Sequence, residues 1–317
     1  MRRTALIYNP ASGIHSASRR AAVEKALDVF RQAGIETEAL ETKGAGTAVA
    51  LAREAVQRGC DTVIACGGDG TVHEILQGLA GTETALGVIP FGTANALAAD
   101  LGLIGPPERA ARKLLEASPS KISVGHIHYT GIDGKADSRY FIVAAGIGAD
   151  ALLMSRLDAR LKRRLGYVLY LIEAVRIWAT HSFPLFETLL PAANGDSAGR
   201  AIEVSQLLAV RVRSFGGVLN KLAPGASLRN GRLSLLAFQT QSRLRYLNFL
   251  LAVMAGRQTF SRGIELVETP SVECRAPRGN KEPIFVEADG EVLGSLPVRI
   301  EVVPHALNLL VPPGAQP

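Results

Sequence analysis

Residues 61–79 read DTVIACGGDGTVHEILQGL. The run Asp61–Cys66 is short and, after Asp61, free of charge, which predicts a buried strand. Thr71–Leu79 then places apolar residues at helical spacing and stops near Gly81. Between them lies Gly67-Gly68-Asp69-Gly70-Thr71. Two consecutive glycines let a backbone turn sharply and approach a ligand with no Cβ in the way. Thr71 is expected to cap the helix, whose first N–H groups form an anion site. A single turn of this kind is more often only a turn, so its neighbours decide the reading.

The flanking sequence repeats the same unit. Thr4–Tyr8, Ile35–Glu41 and Ala85–Pro90 read as strands. Ser16–Ala33, Thr47–Arg58, Thr93–Leu101 and Pro107–Ser118 read as helices, two of them closed by Gly34 and Gly59. Alternating β and α elements predict an α/β fold, a doubly wound parallel sheet with helices on both faces. The stretches Ile7–Gly13 and Val88–Asn95 then end strands one and four, and all three turns fall on the carboxyl edge, where such sheets bind ligands. Asn9, Ser12, Thr71, Thr93 and Asn95 add side-chain donors suited to phosphate oxygens. No GxxxxGK[ST] occurs, so this is not a Walker loop. Asp69 is the odd residue. At about 4 Å and an effective dielectric of roughly 20, a carboxylate facing a phosphate charge costs about 4 kcal/mol per pair. Its presence makes sense beside a Mg2+ ion or a nucleophile's proton, which points to phosphoryl transfer.

Beyond Lys121 strand-like runs dominate: Ile122–His128, Tyr140–Ala145, Val204–Arg213, Arg232–Gln239, Pro283–Ala288 and Val298–Pro304. Helical segments interrupt them at Ser155–Ala179 and Ser242–Gly256, and 192–199 and 276–282 read as loops. The expected division is 1–125 and a β-rich 126–317, with a cleft between. The segment Gly146-Ile147-Gly148-Ala149-Asp150-Ala151 matches a GxGxxA dinucleotide fingerprint, but no β-α-β alternation follows it, which argues against such a site. His126 and His128 share one face of a strand. With no acidic or Cys residue nearby in sequence they are read as structural.

Composition sets the outer limits. The chain has 317 residues, 47% hydrophobic and 20% charged, enough for packed cores and incompatible with disorder. Its net charge of +6 suits anionic ligands or an anionic membrane. Aromatic residues are only 5%, with no basic stripe between them, so nucleic acid is excluded as a partner. Cys60, Cys66 and Cys274 show no CxxC spacing and read as buried thiols of a reducing compartment. The apolar start is too short for a signal peptide, and the longest charge-free apolar stretch, 246–256, falls short of the ~18–20 residues of a membrane span. The expected location is cytoplasmic, at the inner face of the membrane.

Three motifs in this order, NPASG (9–13), GGDGTVHEILQGL (67–79) and PFGTANALAADLGL (90–103), resemble the bacterial diacylglycerol-kinase-like lipid kinases, relatives of sphingosine and ceramide kinases. The resemblance continues through 143–166, 210–238 and VEADGEVL (286–293), and so covers nearly the whole chain. It implies a phosphofructokinase- and NAD-kinase-like amino-terminal domain that binds ATP, and a β-sandwich whose last strand returns to the first domain. Nucleotide contacts are implied at Asn9, Pro10, Ser12, Gly13, Thr42, Gly67, Gly68, Asp69, Gly70, Thr71, Val72, His73, Thr93 and Asn95. Ala288-Asp289-Gly290-Glu291 is, by itself, a hairpin turn. With the resemblance, Glu291 becomes the general base on a lipid hydroxyl, Asp289 helps hold the site, and Asp69 serves with nucleotide and Mg2+, though these carboxylates could exchange roles. His73 reads equally as a residue lining that site and as a helix-surface histidine. The family also carries an accessory Mg2+ site, here matched by Ser227, Asn230 and Arg232. The usual acidic residues are missing from it, which weakens it for a hard cation.

The implied partners are ATP and a lipid at a membrane surface, with a homodimer compatible with the sequence. Arg156, Arg160, Lys162, Arg163 and Arg164, and the arginines at 243, 245, 257 and 262 around apolar 246–255, are the candidate docking residues. Two rivals stand beside the lipid kinase reading: an NAD-kinase-like phosphotransferase, which shares GGDGT, and a non-catalytic lipid or nucleotide sensor.

Overall fold

The computed structural model describes residues 1–10, 17–157, 167–192, 199–213, 222–223, 225–255, 263–277, 279 and 282–316. Strands β1 (Arg3–Tyr8), β2 (Glu36–Glu41), β3 (Thr62–Gly67) and β4 (Ala85–Pro90) line up as β2-β1-β3-β4, all parallel. β3 and β4 are buried at every position, as uninterrupted apolar runs require when helices cover both faces. Those helices are α1 (Ala17–Gln32), α2 (Thr47–Gln57), α3 (Asp69–Leu79), α4 (Ala96–Asp100) and α5 (Pro107–Leu115). α2 and α3 pack closely because Gly78 has no side chain: a Cβ there would lie 2.8 Å from that of Ala52. Glu74 of α3 also accepts the Gly46 and Ala48 N–H groups at the start of α2.

The second half is antiparallel. β5 (Ser118–Gly131) and β15 (Glu291–Val311) form one long ladder that runs out of the parallel sheet. Near its end β15 pairs in parallel with β4, Asn308 opposite Ala85 and Leu309 opposite Leu86. Around that ladder lie β6 (Ala136–Phe141), β7 (Ala144–Gly148), β8 (Phe186–Leu190), β9 (Arg200–Val204), β10 (Gln206–Val210), β11 (Leu233–Phe238), β12 (Ile264–Thr269), β13 (Ser271–Arg275) and β14 (Phe285–Ala288). Core side chains fall into a large cluster around the parallel sheet, a second between the antiparallel layers that includes Ile127, Phe141, Phe186, Val286 and Ile300, and a small third of Ala149, Ile177 and Phe183.

Several details differ from expectation. The segment read as Tyr140–Ala145 is two strands that part after Phe141. The long helix expected at 155–179 is α6 (Ala149–Arg156) and α7 (Tyr167–Thr180), with 158–166 outside the described residues. The last helix, α8, spans Arg243–Met254. β8, β12 and β13, and all of β9 but Val204, lie outside the runs read as strands; each is only five or six residues long. The GxGxxA segment runs from the end of β7, which lies between antiparallel neighbours β10 and β14, into the start of α6, and is not part of a β-α-β unit.

Candidate active site

Two glycine turns meet at the carboxyl edge of the parallel sheet. The Phe91 N–H donates to the Gly67 carbonyl at 2.8 Å. A Cβ on Gly92 would sit 2.6 Å from Gly68 Cα and 2.7 Å from Asn95 Oδ1, so only glycine allows this approach. Asn95 bridges its own turn, accepting from Gly92 N and donating to Gly92 O, both at 2.8 Å. It adopts a left-handed conformation at φ 50°.

Asp69 locks these turns together. Its Oδ2 accepts the Asn95 N–H at 2.9 Å and its Oδ1 the Ala96 N–H at 2.8 Å. The carboxylate of one turn therefore caps α4, the helix that follows the other. Burial pushes the Asp69 pKa up, the two N–H bonds pull against it, and the charge of Asp289 adds to the rise. Thr71 does not cap α3 as expected. The helix starts at Asp69 with Gly68 as its N-cap, and the Thr71 side chain tucks beneath Gly67.

The turn between β14 and β15 brings the second half to this edge. Asp289, left-handed at φ 49°, buries its carboxylate completely among donors. Oδ1 accepts from Val143 N at 2.9 Å and Ala144 N at 3.1 Å; Oδ2 accepts from Ile142 N at 3.0 Å and lies 3.1 Å from His73 Nδ1. His73 is fully buried, and its Nε2 lies 3.8 Å from Glu291 Oε2 with no hydrogen-bond partner. The chain Asp289–His73–Glu291 thus joins both halves of the molecule. Burial lowers the imidazole pKa, but the bond to Asp289 and the charges of Asp289 and Glu291 outweigh it, and the net shift is upward. One turn along α3, Gln77 exchanges hydrogen bonds with the Tyr140 backbone at 2.8 and 2.9 Å. His73 and Gln77 are i and i+4, so one face of α3 is the joint between the halves.

Glu291 is different. Its side chain is 41% exposed, and among the described residues it accepts no hydrogen bond. One of its oxygens points toward Gly70, where a Cβ would stand 3.7 Å away. An available carboxylate therefore faces the first turn of α3, the end that favours phosphate.

Of the other expected site residues, Thr93 and Gly70 are exposed, and Thr42 is buried where β2 ends, its N–H on the Tyr8 carbonyl at 2.9 Å. Asn9 and Pro10 follow β1, with Asn9 N on the Cys66 carbonyl. The Val72 side chain is in the hydrophobic core, and its N–H donates to the Gly68 carbonyl at 3.2 Å. Ser12 and Gly13 lie outside the described residues, as do Arg160, Lys162, Arg163, Arg164, Arg257 and Arg262. Sequence reading missed Arg19. It is 6% exposed, its guanidinium sits 5.3 Å over the Phe91 ring, and Nε and Nη1 are buried without a hydrogen-bond partner among the described residues. Nothing in the local sequence marks it, because Phe91 is 72 positions away by the numbering. A cation with unmet donors beside the 90–95 turn fits an anionic phosphate.

The pair His126 and His128 does have an acidic neighbour, contrary to expectation: Glu301, facing His126 across the β5–β15 ladder, with Oε1 3.2 Å from His128 Nε2. Its other oxygen accepts from Arg299 at 2.9 Å, and that positive charge works against a further cation. Asp150 of the GIGADA segment is also explained. It is buried against Glu287, whose Oε2 accepts the Gly290 N–H at 2.7 Å. Burial raises both carboxyl pKa values, Glu287 well above its ordinary value, so this pair shares a proton behind the 289–291 turn.

A glycine-lined parallel-sheet edge, closed by a carboxylate turn from a β-sandwich, defines the fold class of the diacylglycerol and NAD kinases. The chain belongs to the diacylglycerol-kinase-like lipid kinase family. Residues 3–127 match the diacylglycerol kinase catalytic domain, and 142–311 match the YegS C-terminal NAD kinase beta sandwich-like domain. The chain is 29% identical to a Bacillus subtilis diacylglycerol kinase, over 98% of this chain and 97% of that one. It is 32% identical to a Chromohalobacter salexigens protein named probable lipid kinase YegS-like, over 92% and 89%. In fold it resembles a crystal structure of a Bacillus anthracis diacylglycerol kinase, with TM-score 0.70, 20% identity and coverage of 99% and 98%.

Proposed function

We propose that this protein transfers the γ-phosphoryl group of ATP to the hydroxyl of a diacylglycerol-type lipid. The observation that carries the reading is Glu291, an open carboxylate aimed at the phosphate-favouring end of α3 and backed by His73 and Asp289. Glu291 takes the proton of the lipid hydroxyl as its oxygen bonds to the γ-phosphorus. The bond from phosphorus to the bridging oxygen breaks, and ADP leaves with that electron pair. The glycine turns and Arg19 receive the phosphates. Mg2+ arriving with ATP would neutralise their charge. Asp69 and Asp289 act by position, since their oxygens already accept backbone N–H groups.

The acceptor class is supported by the relatives' names and by one surface. α7 and α8 adjoin, Trp178 donating to the Arg243 carbonyl at 2.9 Å, and expose Ile172, Val175, Leu244, Leu250 and Leu251 beside Arg243 and Arg245. Apolar side chains among arginines suit an anionic bilayer surface. No described helix is long and apolar enough to cross a membrane. The test is a labelled-ATP assay with Mg2+ and lipid panels in mixed micelles, with NAD as a competing acceptor. Labelled phospholipid is the expected product. Labelled NADP without lipid product would favour the NAD-kinase-like rival, and no product with ATP bound would favour a sensor.

A further inference from the structure

Arg211 is the largest fully buried side chain of the described residues. It follows β10 and runs into the 225–232 loop. One terminal nitrogen, Nη2, donates to the carbonyls of Ser123 and Asn230 at 3.0 Å each and of Leu228 at 3.4 Å. The other, Nη1, donates to the carbonyl of Arg232. No salt bridge reaches it among the described residues. Burial lowers its pKa to about 10, so it stays a cation at neutral pH. A charge this buried needs compensation, and here neutral carbonyl dipoles supply it. That is how backbone oxygens compensate a metal ion.

This loop is where the resemblance implies an accessory Mg2+, held by a side-chain oxygen at Asn230 and the carbonyls of Ser227 and Arg232. The residues present do not fit that ion. The Arg232 carbonyl is committed to Arg211, the Ser227 carbonyl accepts the Asn230 N–H at 3.1 Å, and no carboxylate stands at 227, 230 or 232. A divalent ion would also meet the guanidinium charge.

We propose that Arg211 is a built-in cation that organises the 225–232 loop in place of a divalent ion, so that the fold of this chain needs no loop-bound Mg2+. The same residue is tied to the active site. The Arg211 N–H donates to the Val143 carbonyl at 2.9 Å, and Val143 donates its own N–H to Asp289. That link is made by the backbone, so the role of the guanidinium is to hold the loop, and it does not depend on which acceptor is phosphorylated.

Thermal unfolding without nucleotide, in millimolar Mg2+ and in EDTA, tests it. The wild type should give one Tm in both. Arg211→Met removes the guanidinium donors from the Ser123, Asn230 and Arg232 carbonyls and should lower Tm by about 5 °C or more in both. The double variant Arg211→Ala with Asn230→Asp reopens the cage and returns a carboxylate, so its Tm should rise with Mg2+ and fall in EDTA. A wild-type Tm that climbs with Mg2+, the climb being lost in Asn230→Ala, would overturn the proposal. So would Arg211→Met unfolding at the wild-type temperature, or a folded double variant blind to Mg2+. If the double variant does not fold, the wild type and Asn230→Ala still decide.

Discussion

Replacing Asp289 with Asn changes one atom and reverses the polarity of half a carboxylate. Asn can still accept from Val143 and Ala144 through its one oxygen. Its NH2 then faces the Ile142 N–H and His73 Nδ1, which lie 3.0 and 3.1 Å from Asp289 Oδ2. Two hydrogen bonds to a charged acceptor are lost, at about 2 kcal/mol each, or roughly 4 kcal/mol in total. For a chain of this length, about 2 °C of Tm per kcal/mol turns that into a fall of roughly 8 °C. Scanning calorimetry of Asp289→Asn beside wild type measures it. Because Asp289 and His73 act on each other, the double variant with His73→Gln should lose less than the sum of the singles, by about 1 kcal/mol or more. A Tm within about 2 °C of wild type, or strict additivity, would refute the view that this carboxylate anchors the joint between the halves.

Further outcomes follow from neighbouring residues. The His73 pKa is raised in the folded state, so its stabilising contribution is complete below its ordinary value and disappears as pH rises through the raised one. Wild-type Tm should therefore decline over that window, and His73→Gln should remove the decline. Gly92→Ala forces a Cβ to within 2.6 Å of Gly68, prising the glycine turns apart. It should cost about 1–3 kcal/mol of stability and raise KM for ATP, read from Tm and steady-state kinetics. Glu287→Gln keeps the bonds to Gly290 and Asp150 without the trapped proton. The carboxyl pKa is raised in the folded state, so its stabilising contribution is complete in acid, below the ordinary carboxyl value, and is lost as pH rises above it; the variant should lie closest to wild type in acid and gain on it steadily as pH rises.

The parallel half was legible because each strand there is a buried apolar run between helices with glycine stops, and local pattern decides such elements. The site was legible only where its chemistry is local, as in the 67–71 and 90–95 turns. Asp69 drew notice as a charge in a phosphate turn, but its partners are backbone groups at 95 and 96, so its capping of α4 was invisible. His73 showed no preference between a surface and a site role. It is buried because Asp289, 216 residues away, arrives from the second half. Separation along the chain also hid Glu301 from His128, 173 residues apart, and Arg19 from Phe91, 72 apart. β8, β12 and β13 were lost for another reason: strands this short are fixed by their neighbours in the ladder more than by their own pattern.

The role of Glu291 is tested most directly by comparing wild type with Glu291→Gln in phosphoryl transfer from labelled ATP to diacylglycerol in mixed micelles. Glu291 is partly exposed and accepts no hydrogen bond among the described residues, so the variant should keep its Tm within about 2 °C. Loss of a general base should lower kcat about 10²–10⁴-fold with ATP binding intact. A Glu291→Gln enzyme that phosphorylates the lipid at the wild-type rate would contradict the assignment.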